Sequence, residues 1–156
     1  MNTMSPEERL HELGHVLPPA PKSVANYVGS VQTGNLLFLS GKGPDLAGGR
    51  QWRGKLGAEL TTEEGYTAAR DTMLNLLAVV HEDIGALSRI RRIVKVLGMV
   101  NSAPDFTDQP KVINGASDLL VEIFGDRGRH ARSAVGMASL PGGIPVEIEM
   151  IVELAD

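Results

Sequence analysis

A chain of 156 residues, 42% of them hydrophobic, is long enough for one domain with a real core and too short for two ordinary ones. A formal net charge of −4, basic residues scattered except for Arg89, Arg91 and Arg92, and only three Phe, two Tyr and one Trp argue against a nucleic-acid binder. With no cysteine, no basic-then-apolar leader at the amino terminus and no apolar run near the ~20 residues of a membrane span, disulfide and thiolate chemistry are excluded and a soluble cytoplasmic protein is expected.

Ser5-Pro6-Glu7-Glu8 combines a capping hydroxyl, a proline at the first helical position and acids in the first turn, so a short helix runs to about Leu13 and closes at Gly14. Three prolines between Leu17 and Pro21 then force an extended connector. Residues 1–23 are thus an amino-terminal helix and connector, ahead of the main domain at 24–156. Strand-like runs at Tyr27–Val31 and Leu36–Ser40 flank a Gly-Asn reversal and predict a hairpin. Residues 41–57 are glycine-rich and hold the lone Trp52, which predicts a loop. Thr61 with Glu63 and Glu64 opens a long one-sided helix through Ala69, Met73, Leu76, Leu77, Val80 and Ile84, closed by Gly85. Ile90–Val100 has strand chemistry, residues 102–110 interrupt it, and a second amphipathic helix spans about Lys111–Phe124. Strands near Ser133–Leu140 and Val146–Leu154, joined by Pro141-Gly142-Gly143, predict a closing hairpin. This order, with helices on one face of a mixed sheet, is α+β rather than doubly wound.

Arg132 and Glu147 then fall on neighbouring strands of that hairpin. The arginine is either an exposed ion-pair partner or a bidentate anchor for a small carboxylate, with the Ser133 hydroxyl beside it and small Ala131 and Ala134 leaving room. Glu147 and Glu149 share one strand face, either as solvated acids or, if one is partly buried, as a group able to move a proton near neutrality. Tyr27 is either half-buried packing or a ligand hydrogen bond. His11 and His15 have metal-pair spacing, but Gly14 between them ends the helix and no third ligand completes a site, so no metal is expected. Gly41-Lys42-Gly43-Pro44 lacks the order of a phosphate loop, and no Gly-x-Ser-x-Gly elbow is present.

The set Ala25-Asn26-Tyr27-Val28, Leu39-Ser40-Gly41, Asn114, Ala131-Arg132-Ser133, Leu140-Pro141 and Val146-Glu147-Ile148-Glu149 resembles the Rid superfamily, the YjgF-like or reactive-intermediate deaminase proteins, from about Val24 to Leu154. The resemblance implies a chorismate-mutase-like fold: a mixed sheet backed by two helices, with three subunits closing into a barrel-like homotrimer whose sites lie in clefts between chains. It also implies hydrolysis of enamine or imine forms of amino acids to 2-keto acids and ammonia, without metal or cofactor. Carried over by residue, Arg132 would clamp the substrate carboxylate and Glu147 would position water. Tyr27, Gly41, Asn114 and the backbone at Ala134 would line the cleft. Three departures stand out: Ala134 where many members have cysteine, Lys42 where glutamine is common, and the added amino-terminal helix, connector and glycine-rich loop. The alternative is a non-catalytic, carboxylate-binding or chaperone-like trimer. Ribonuclease activity, a label attached to relatives, is disfavoured by the acidic balance and the lack of a catalytic histidine pair.

Overall fold

The computed structural model describes residues 3–156. Helix α1 (Pro6–Glu12) and helix α2 (Thr62–Ile84) each begin with a capping box, in which Ser5 and Glu8, or Thr61 and Glu64, satisfy each other's free backbone N–H groups. Gly85 ends α2 at φ +89°, a conformation that glycine adopts without strain. Helix α3 covers Gln109–Phe124.

Five strands, β1 (Ser30–Thr33), β2 (Leu36–Leu39), β3 (Ile90–Asn101), β4 (Ala131–Met137) and β5 (Val146–Leu154), form one mixed sheet in the order β1-β2-β5-β3-β4. Only β3 and β4 run parallel, and α3 makes the crossover between them. The expected carboxy-terminal hairpin therefore does not form: β5 inserts between β2 and β3, and β3 separates it from β4. Burial explains the choice. Ile148, Met150, Val152 and Leu154 of β5 are all 2% exposed or less, so this strand belongs in the middle, whereas β4, which mixes small Ala, Ser and Gly with Arg132, Val135 and Met137 and has no fully buried residue, takes the edge.

The first hairpin forms, but β1 starts at Ser30 rather than Tyr27. Residues 25–27 bend, the Tyr27 N–H donating to the Ala25 carbonyl, and the Ser40 hydroxyl donates to the Val28 carbonyl at 2.6 Å.

Helices α2 and α3 cover one face of the sheet, and Leu10 of α1 reaches the same core. Glycines allow the helices to sit close. A Cβ at Gly115 of α3 would lie 1.9 Å from the Tyr66 carbonyl oxygen of α2, and one at Gly98 of β3 would lie 2.6 Å from Ile113. The glycine-rich loop is anchored from within by buried Asn75 of α2, whose amide donates to the carbonyls of Gly43 and Asp45. Trp52 is buried beside it, its indole donating to Asp71 at 3.3 Å. No helix among the described residues is long and apolar enough to cross a membrane.

Candidate active site

Arg132 stands opposite Val96, and Val96 faces the helices. Side chains at paired positions share a face, so the guanidinium projects toward α3. There Asn114 and Ser117, one helical turn apart and hence neighbours on one face, both accept from its Nη1, at 2.8 and 3.1 Å. Next to them lies His130, two residues before Arg132. Its Nδ1 is 2.7 Å from the Gly128 carbonyl and its Nε2 is 2.9 Å from the Ser117 hydroxyl. These residues line a cleft of about 300 Å³ with Asp118 and Arg129. Among the described residues Arg132 makes no ion pair, so the bland expectation of a surface salt bridge is not what the structure holds.

The hydroxyl beside Arg132 belongs to Ser117, not to Ser133. Ser133 is the next residue along an extended strand and points to the opposite face, where Lys95 donates to it at 3.4 Å. Ala134 returns to the helix side, half-buried, paired with Gly98.

Glu147 occupies that opposite, helix-free face, since its neighbours Val146 and Ile148 are fully buried beneath the helices. Its half-buried carboxylate lies over Gly41, where an added Cβ would come within 2.8 Å of Oε2. Gly41 follows β2, and the bridge from Lys42 to Ile148 holds it beside β5. Loss of water around Glu147, reinforced by the like charge of Glu149 on the same face, raises its pKa above the ordinary glutamate value of 4.5. Lys42 is buried in a separate cavity of about 120 Å³ with Pro21 and Asn75, so its replacement of the common glutamine does not place an ammonium on the Glu147 carboxylate.

The predicted residues therefore form three groups within one chain. Arg132 with Asn114 and Ala134 lies at the β4 edge on the helix side, and Glu147 with Gly41 lies on the open side. Tyr27, half-exposed, lines a cleft of about 620 Å³ with Val79 and Asp83 of α2, just ahead of β1. Arg132 and Glu147 are not on neighbouring strands. They are two strands apart and, measured along β3, offset from Val96 to Met99, which amounts to ~14 Å at ~4.8 Å per strand and ~3.3 Å per residue, on opposite faces. Tyr27 and Arg132 belong to opposite edges of the sheet, ~19 Å apart by the same spacing. Reasoning from sequence missed Ser117 and His130 as members of the arginine group. Their spacing carried the signal, three residues from Asn114 on a helix and two from Arg132 along an extended segment.

The family described as "YjgF/chorismate_mutase-like, putative endoribonuclease" matches residues 7–151. A 2-iminobutanoate/2-iminopropanoate deaminase of Dermatophagoides farinae is 33% identical over 140 residues, covering 86% of this chain and 91% of that protein. The crystal structure of an Agrobacterium tumefaciens protein of unknown function is 46% identical, with a TM-score of 0.90 over 96% of this chain and 92% of that one. A Shewanella oneidensis structure described as a putative endoribonuclease is 37% identical, with a TM-score of 0.93 over 97% of this chain and 100% of that one.

Proposed function

The chain belongs to the Rid (YjgF-like) superfamily, and on that basis we propose that it hydrolyses 2-imino or enamine acids to 2-keto acids and ammonia in a cleft completed by a second copy in a homotrimer. The observation that carries the proposal is Arg132: a half-buried guanidinium in an acidic protein, held by two neutral acceptors on one nitrogen and paired with no carboxylate among the described residues. Such a group is prepared for an anion, and its planar fork suits a carboxylate. The imine carbon is already electrophilic, so the chain needs only to hold the substrate, direct a water molecule and move a proton.

In the proposed reaction Arg132 holds the substrate carboxylate and Glu147 accepts a proton from water as its oxygen bonds to the imine carbon. The proton returns to nitrogen to complete the carbinolamine, which collapses as its hydroxyl proton passes through Glu147 to the same nitrogen, breaking the C–N bond to release ammonia and leaving the 2-keto acid. The raised pKa of Glu147 keeps its conjugate acid available for that return. Within one chain Glu147 is out of reach of a substrate on Arg132, which favours a cleft between copies. The open sheet face bearing Glu147 also exposes Phe38 and part-buried Leu97 and Ile151, an apolar surface suited to covering by another subunit. The proposed assembly follows the family resemblance.

Semicarbazide trapping of imines generated by an amino-acid oxidase tests the activity. Wild-type protein should accelerate imine loss, and Arg132→Ala should lower kcat/KM by about 10- to 150-fold, the equivalent of ~1.5–3 kcal/mol for a charge-assisted contact. Equal imine decay with and without wild-type protein across a panel of amino acids would contradict the proposal.

A further inference from the structure

The two ring nitrogens of His130 face partners of fixed polarity. The Gly128 carbonyl only accepts, so Nδ1 carries the proton and donates to it at 2.7 Å. In the neutral ring Nε2 is then an acceptor, and the Ser117 hydroxyl at 2.9 Å donates to it. With its hydrogen committed, Ser117 presents a lone pair to Arg132 Nη1 at 3.1 Å. Burial, and after it the charge of Arg132, lower the His130 pKa and keep the ring neutral, although its hydrogen bond to Gly128 acts in the other direction. The charged groups lining the cleft with His130 are Asp118 from α3 and Arg129 and Arg132 from its own segment.

We propose that Ser117 and His130 are positioning residues for Arg132: a one-directional hydrogen-bond chain, anchored at the Gly128 carbonyl, that fixes the Nη1 side of the guanidinium and leaves its other nitrogens aimed at a carboxylate. This rests on the reading of Arg132 as the carboxylate clamp and adds what holds the clamp in place. Asn114 alone leaves the guanidinium free to swing about a single contact, whereas a second acceptor from the same helix face, itself oriented by the imidazole, removes that freedom before ligand arrives. Neither Ser117 nor His130 need touch substrate.

The test combines calorimetry with 2-ketobutyrate and nitrogen NMR of the imidazole, both well below the melting temperature. Wild-type His130 should show the Nδ1–H tautomer, and its Nε2 resonance should shift when 2-ketobutyrate binds. Ser117→Ala and His130→Phe should each weaken binding about 2- to 12-fold, the scale of immobilising one long side chain. Ser117→Thr, which keeps the hydroxyl, and His130→Gln, which keeps an acceptor, should restore most of it. An Nε2–H tautomer in the wild type, or equal affinity in wild type, Ser117→Ala and His130→Phe, would overturn the inference alone. No binding of 2-ketobutyrate by the wild type would overturn the proposed function and the inference together.

Discussion

Gly41→Ala makes the most local test of Glu147. Gly41 has no positive φ, so the backbone accepts alanine. The new methyl would meet Glu147 Oε2 at 2.8 Å, Cδ at 3.2 Å and Cγ at 3.3 Å. Ordinary contact begins near 3.4 Å, so 3.4 − 2.8 requires the carboxylate to retreat by about 0.6 Å. Because the atoms that must move are the end of a flexible, half-exposed side chain, folding should change by no more than about 0.5 kcal/mol. A misplacement of ~1 Å at a reacting group costs up to ~100-fold, so kcat should fall on the order of 10-fold. KM should stay within about 2-fold, since Arg132 lies on the other face and keeps its contacts. Gly43→Ala is the control. Its methyl would clash equally, at 2.8 Å, with Ile144 Cδ1 and not with Glu147. Steady-state imine hydrolysis by the two variants separates the outcomes: a Gly41→Ala kcat equal to that of wild type would remove Glu147 from the reaction.

Gly115→Ala should be far more costly to the fold, because the clash at 1.9 Å is with the Tyr66 backbone and no rotamer relieves it. A loss of at least ~3 kcal/mol, seen as a drop of roughly 6–12 °C in calorimetric Tm, is expected; a Tm within 2 °C or so would refute the tight α2–α3 crossing. Glu147→Gln should raise Tm at neutral pH. With its folded pKa raised, the glutamate destabilises the fold increasingly as pH climbs from 4.5 through the folded value, so the advantage of glutamine should be full above that window and vanish below pH 4.5. A Tm difference independent of pH would show that the carboxylate is not desolvated.

Much of this molecule follows from local chemistry that a single sequence displays. The hydroxyls of Ser5 and Thr61 with acids three residues later mark both helix starts, and the alternation along Val146–Leu154 marks β5 with its buried side. Strand order was not legible in the same way. Pro141-Gly142-Gly143 signals a reversal, but not whether the returning strand pairs with the one before it; that is decided by a competition for the sheet centre, won by the large apolar residues of β5. The same limit explains the misplaced proximity of Ser133 and Glu147 to Arg132, since pairing and facing depend on the register against β3. At Tyr27, β-forming composition yielded to a bend stabilised by the Ser40 hydroxyl on Val28. Of the residues that the resemblance assigned to one cleft, Asn114 touches Arg132 and Gly41 lies against Glu147, as two separate pairs within the chain. The partnership of Ser117 and His130 needed coordinates because a serine and a histidine near an arginine are commonplace in sequence.

Subunit mixing tests the site between chains most directly. Arg132→Ala and Glu147→Gln proteins, each impaired alone, are unfolded together, refolded at equal ratio and assayed for imine hydrolysis. If each cleft takes its arginine from one chain and its glutamate from the next around a ring, random assembly should leave about one quarter of the clefts intact and restore about one quarter of wild-type activity. Mixed oligomers, verified by mass spectrometry, whose activity does not rise above that of the parents would contradict a cleft shared in this way.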